Sequence, residues 1–410
     1  MTRLDYLPDD AHTMPGARTW VNDVVQRVSA GQSVIVVVPD VFPCKGAEMI
    51  LDEVARRVPA DPLPPARGSH GFPEQMAEML GQPATRDDEK KSFRRMVMEL
   101  GDGPPVVLVR SWEHELVPFL EHLPQLLHER GAAPGLGRTF ILFVRYSDLG
   151  SIRVAQLRYQ PEFALKWWWG VWTRLDTEVA TASARPELGE YRRALVTEFA
   201  GWNLQLAHEI CHRWDGEQNS LAPLTEQILL EGGVHQEDSE QAISEGSPSY
   251  ECPSGRDLSK SAPDQPGPIE LASWARGDLD SWDGWLCHWM AVDPRDPCDV
   301  EHVLWRSQVR SALARMGDRR RTAQETVMQL GGPLVSDLAG RVAVSVYPER
   351  TWDPEKPWDL RVIQRVAATI PDCKPLSTEL RRVADQRNKL AHYRQLDEIS
   401  IQEVMRPGSW

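Results

Sequence analysis

The apolar positions of this chain change their spacing about a third of the way along, and that change divides it into parts. Gly31-Gln32-Ser33 leads into Val34-Ile35-Val36-Val37-Val38, an unbroken β-branched run of the kind buried on both faces of a parallel sheet. Met49, Ile50, Val54 and Val58 follow at helical spacing, and the Pro-rich stretch 59–73 reads as a loop. Helical patterns over 74–80 and 92–100 precede a second buried run, Val106-Val107-Leu108-Val109. A helix through Leu116, Phe119, Leu123 and Leu127 ends at the break from Gly131 to Gly137, before a third run, Phe140-Ile141-Leu142-Phe143-Val144. Strands alternating with helices predict a doubly wound α/β layer with a parallel sheet and crossover helices.

From about Ser151 the spacing turns helical almost throughout. Residues 163–179, 190–214 and 221–230 are predicted helices. Residues 234–268 carry Ser, Pro, Gly, Glu and Asp with almost nothing to bury, the composition of a flexible acidic linker. Helices are predicted again at 269–276, 300–316 and 320–330, then an alternating, strand-like piece Arg341-Val342-Ala343-Val344-Ser345-Val346 and two closing helices. The predicted organisation is an α/β N-terminal domain with a P-loop-like parallel sheet over 1–150, then mainly α-helical domains: a helical domain over 151–233, the linker over 234–268, and a mainly helical domain over 269–410.

Bulk properties narrow the function. A chain of 410 residues exceeds the size at which one core usually keeps growing. With 41% hydrophobic and 26% charged residues it has ordinary globular composition. A formal charge of -14 repels a phosphate backbone, which argues against general nucleic-acid binding. No run approaches the roughly 20 apolar residues that cross a bilayer, and the opening MTRLDYLPDDAH has no leader pattern. The expected location is therefore the cytoplasm, without a membrane partner. Six cysteines, none in a C-x-x-C pair, read as reduced thiols. The sixteen tryptophans include the clusters Trp167-Trp168-Trp169 and Trp282, Trp285, Trp289, expected to fill cores between helices or to form a partner-binding surface.

Three short stretches have the residue types that chemistry needs. After the first strand, Pro39-Asp40-Val41-Phe42-Pro43-Cys44-Lys45-Gly46 aligns with G-x-x-x-x-G-K-[ST], placing Lys45 in the lysine position. A phosphate loop wraps its ligand with backbone N–H groups, and its hydroxyl residue holds magnesium. Here Pro39 and Cys44 stand in the glycine positions, Pro39 and Pro43 lack an N–H, Asp40 adds negative charge, and Gly46 has no hydroxyl. Tight ATP binding is not expected, and no cofactor is implied. The second strand ends in Arg110-Ser111-Trp112, with Glu113 the nearest acid, and the third in Arg145-Tyr146-Ser147-Asp148.

This layout resembles the core of STAND-type and related AAA-like P-loop NTPases, specifically the inactivated versions of bacterial conflict systems. The resemblance implies a scaffold or sensor domain, Lys45 as a vestige of a cofactor site, and protein partners in a multi-component defence assembly.

His208-Glu209-Ile210-Cys211-His212 is an H-E-x-x-H on a predicted helix and resembles the zincin metalloproteases over five residues. That resemblance implies His208 and His212 as zinc ligands, Glu209 as base for a bound water, and a third ligand, Glu226 or Glu231, from the following helix. Arg213 directly after the second histidine departs from the pattern. Near the C-terminus Arg387-Asn388-Lys389-Leu390-Ala391-His392 matches the R-x4-6-H motif and resembles the HEPN ribonucleases over about 40 residues. That implies Arg387 at a scissile phosphate and His392 in proton transfer, with Arg381, Arg382 and Lys389 supplying positive charge for RNA. Without catalysis, Leu390 and Ala391 pack the helix and His392 closes it. The leading expectation is a non-enzymatic regulatory subunit that binds protein partners. A ribonuclease effector and a zinc protease are the alternatives.

Overall fold

A computed structural model describes residues 11–42, 45–58, 60–63, 72–79, 93–94, 97–98, 105–130, 138–149, 163–231, 262–288, 297–349, 351–353 and 355–406. The chain divides into two compact units, the first comprising Met1–Ser183, Ala200–Glu209 and Leu230–Ala291, the second Ala184–Phe199, Ile210–Leu229 and Val292–Trp410.

In the first unit β1 (Ser33–Val38), β2 (Ala60–Pro62), β3 (Val106–Arg110), β4 (Thr139–Arg145) and β5 (Phe163–Trp167) form one sheet in the order β2-β3-β4-β1-β5. All four pairings are parallel. β1 is buried along its whole length, as a strand flanked on both edges and covered on both faces must be. Helices α1 (Pro15–Ser29), α2 (Lys45–Arg57), α3 (Phe72–Met79) and α4 (Val117–Arg130) belong to this layer. α1 starts with proline at its first turn and buries Trp20, Val21, Val24 and Val28 along one stripe.

Two expectations fail beside the sheet. Residues 163–179 are not one helix: Phe163–Trp167 is the fifth strand, and only Arg174–Ala184, α5, is helical. The sheet thus extends past the boundary drawn at residue 150. The loop predicted over 59–73 contains the short edge strand β2, where proline is tolerated because an edge needs fewer N–H donors.

The tryptophans fill this core, but between sheet, hairpin and loops rather than between helices. Trp167, Trp168, Trp169, Trp172, Trp202, Trp274 and Trp282 are buried. Several bury a ring while the indole N–H donates to a backbone carbonyl, as Trp20 does to Trp167 (3.2 Å), Trp274 to Trp168 (2.9 Å) and Trp202 to Cys287 (2.9 Å). The helix predicted at 269–276 is the short α9, Leu271–Ala275. After it β6 (Leu279–Trp282) and β7 (Trp285–His288) form an antiparallel hairpin. Its turn, Asp283-Gly284, has φ of 55° and 79°, the two positive values that a two-residue primed turn requires. Trp289 and most of the linker predicted over 234–268 lie outside the described residues.

The run 190–214 is two helices, α6 (Glu190–Ala200) and α7 (Leu204–Arg213), separated at Gly201 with φ 59°; α8 (Leu221–Glu231) follows. In the second unit α10 runs unbroken from Pro297 to Gly331, 35 residues or about 52 Å. Gly317-Asp318 does not divide it, since an internal glycine costs only about 1 kcal/mol. α11 (Val335–Val346) replaces the strand predicted at 341–346. Its buried set, Val335, Ala339 and Ala343, is spaced by four, while Val344 is exposed, so the alternation of valines misled. Three helices close the chain rather than two: α12 (Leu360–Thr369), α13 (Lys374–Ala391) and α14 (Glu398–Met405). α12 and α14 are N-capped by Asp359 and Asp397, which accept from Arg361 N (2.9 Å) and Ser400 N (2.8 Å). Within the unit Glu198, fully buried, lies 3.5 Å from Arg306 and 3.3 Å from Arg310. Arg306 is therefore an interior residue and not part of a solvated basic face. Among the described residues no helix is long and apolar enough to cross a membrane.

Candidate functional site

From β1 the chain crosses to β2 at one edge, and from β4 it steps over β1 to β5 at the other. The connections therefore diverge between β4 and β1. In open parallel sheets that divergence, at the carboxyl ends of the strands, makes the crevice where ligands bind. The loops after β1, β3 and β4 meet there, and they carry the residues that the sequence singled out.

These residues bond to one another. Asp40 Oδ1 accepts from Ser147 N (2.7 Å), and Asp40 N donates to Ala275 O (2.8 Å). Arg145 Nε donates to Phe42 O (2.5 Å), so the loop turns a carbonyl where a phosphate loop turns an N–H. Ser111 Oγ donates to Asp148 Oδ2 (2.6 Å) and accepts from Arg145 N (2.9 Å). The Phe42 ring, 1% exposed, lies 4.9 Å from Trp168 and 6.5 Å from Trp112 between centroids. The Arg145 guanidinium stands 5.8 Å from the Trp112 ring centroid, a cation–π contact. Tyr146 meets Trp274 edge-on at 6.3 Å. At the end of β3 Arg110 pairs with Asp52 (2.7 Å) and Glu113 (3.4 Å). Aromatic rings and paired charges thus occupy the crevice.

Lys45 is the first residue of α2, at the helix N-terminus that faces a phosphate in a working loop; its side chain, Pro43 and Cys44 lie outside the described residues. His208, Glu209 and His212 are all on α7, the histidines one turn apart. The boundary between the two units falls within that helix, after Glu209. His212 is exposed and His208 half-buried. Glu231 is the last residue of α8 and exposed, and Glu226 lies on the same helix. Among the described residues no group of three or more His, Cys, Asp or Glu is placed to hold a metal ion.

Arg387 and His392 are at the end of α13. Arg387 is half exposed and pairs with Asp359 at 3.7 Å, the carboxylate that also caps α12 and accepts from Tyr347 Oη (2.9 Å). His392 is the C-cap, its N–H shared between Asn388 O and Lys389 O at 3.1 Å each, and its side chain is exposed. Leu390 is buried, and its carbonyl accepts from Trp305 Nε1 (2.8 Å). Arg381, Arg382 and Lys389 are exposed.

Sequence reasoning missed Phe42, Trp112 and Trp274 as the fillers of the crevice, because nothing local marks which aromatic rings of separate segments meet at one site. No protein-family model, curated protein or solved structure matches the chain.

Proposed function

We propose that the first unit is a P-loop-like domain kept for its shape, and that the chain is a non-enzymatic regulatory subunit of a bacterial anti-phage defence system that works by binding protein partners. One observation carries the first half: the loop after β1 spends its acceptors and its carboxylate on Arg145 and Ser147, with Phe42 wedged between Trp112 and Trp168. A nucleotide's phosphates would have to displace a buried aromatic ring and two hydrogen bonds while gaining no hydroxyl for magnesium. The second half rests on the sequence resemblance to inactivated members of conflict systems.

The test is calorimetry of the full chain with Mg-ATP, run beside Lys45→Ala. The expected result is no magnesium-dependent binding that Lys45→Ala removes. Micromolar binding lost in that variant would return the domain to the working nucleotide switches. Protection against phage in the native host should be unchanged by Arg387→Ala and His392→Ala; RNA decay that either variant abolishes would make the chain a ribonuclease instead.

A further inference from the structure

The second unit contains a cavity of about 570 Å³, lined from the start of α6, the turn Gly216–Gln218, the middle of α10 and the length of α14. That volume is within the usual range for small-molecule sites. Arg192, Arg315 and Arg406 line it, and none of the three is ion-paired among the described residues. Arg315 adds an unmet need, for its Nε is buried without a hydrogen-bond partner. A guanidinium N–H held away from water and unbonded is costly, and an anionic oxygen is its strongest acceptor. The nearby Asp215 feels the Arg192 charge but is not bonded to it: its hydrogen bonds come from Ser220 Oγ and Glu217 N. Gly216, with φ +92°, gives the Arg192 guanidinium room: a Cβ there would lie 3.3 Å from its central carbon.

The opposite chemistry is present in the same cavity. Glu190 and Glu398 line it, and Glu398 accepts from Gln402 Nε2 (3.2 Å) on one oxygen. Carboxylates accept from hydroxyl or amino donors and repel phosphate. Leu195 and Met405 supply an apolar wall. We propose that this cavity binds a small phosphomonoester, its phosphate gripped by Arg192, Arg315 and Arg406 and its hydroxyl or amino groups bonded to Glu190 and Glu398. Inorganic phosphate would use only half of the site. The inference does not depend on what the α/β unit does.

The experiment is magnesium-free calorimetry of the full chain with inorganic phosphate, ribose 5-phosphate and adenosine monophosphate. At least one phosphomonoester should bind ten or more times tighter than inorganic phosphate, and the preferred one distinguishes a sugar phosphate from a nucleotide. Arg315→Gln and, at the exposed rim, Arg406→Gln should each weaken it about tenfold without lowering the melting temperature, while Lys45→Ala leaves it unchanged. Failure of all three probes to bind below ~10 mM, binding no tighter than that of inorganic phosphate, or binding that survives both arginine variants would overturn the proposal.

Discussion

Asp280→Asn is the substitution whose effect follows most directly from the structure. Asp280 is 5% exposed, and its Oδ1 accepts both Gly170 N (2.8 Å) and Ser281 N (2.7 Å). Burial pushes its carboxyl up to about 7, against the pull of those two N–H donors, from an ordinary 3.8. At about 1.4 kcal/mol for each pH unit between these values, the ionised group costs the folded state at most roughly 4 kcal/mol. Well below pH 4 the carboxyl is neutral in both folded and unfolded chains and costs nothing. Between about pH 4 and 7 the unfolded chain ionises first, so the folded state loses stability as pH rises; above 7 the loss is complete. An amide oxygen can accept both N–H bonds as Oδ1 does, and the new NH₂ lacks partners at a cost of about 1 kcal/mol. Asp280→Asn should therefore be close to the parent in stability at pH 5, where ionisation has already cost the parent about 1.6 kcal/mol, and more stable at pH 8, by about 3 kcal/mol. Urea unfolding followed by tryptophan fluorescence across pH 5 to 8 measures this. Parallel stability curves, or a variant less stable than the parent at pH 8, would refute the reasoning.

Phe42→Ala empties the aromatic wedge at the switch point and should cost about 3–5 kcal/mol in the unfolding of the first unit, read as a lower urea midpoint at unchanged slope. Glu198→Ala leaves the buried Arg306 without its carboxylate and should cost about 3–5 kcal/mol. Replacing Glu198 and Arg306 together by apolar residues should recover part of that loss in a double-mutant cycle, since the loss comes from a stranded charge. Gly16→Ala cannot be accommodated in place: its Cβ would sit 2.3 Å from Asp176 Oδ2 and from Val171 O. It should break the Gly16 N–Asp176 bond (2.9 Å) and increase amide exchange at the start of α1.

The three inner strands were legible because each is a continuous apolar run, and a strand buried on both faces needs nothing else. β5 was not: Phe163-Ala164-Leu165-Lys166-Trp167 places a lysine in the run, and that lysine reaches Asp23 on α1, a pairing only the fold creates. The hairpin had a local signal, Asp283-Gly284 between tryptophans, which helical spacing of those tryptophans obscured. The loop after β1 has its departures from the phosphate-loop pattern written in single residues, since proline, aspartate and glycine act through their own chemistry. What fills the crevice was hidden, because Phe42, Trp112, Trp168 and Trp274 converge from four separate segments. The Arg387-to-Asp359 pair was likewise out of reach, as it joins two helices across a turn.

The position of β1 also has a consequence for synthesis. It lies between β4 and β5, whose residues leave the ribosome roughly 100 and 130 positions after its own. Through that interval a strand that is aliphatic from Val34 to Val38 has two open edges, the arrangement most prone to pairing with a neighbouring chain. A chain ending before Phe163 would leave one of those edges open for good, so such fragments should precipitate at concentrations that the 410-residue chain tolerates.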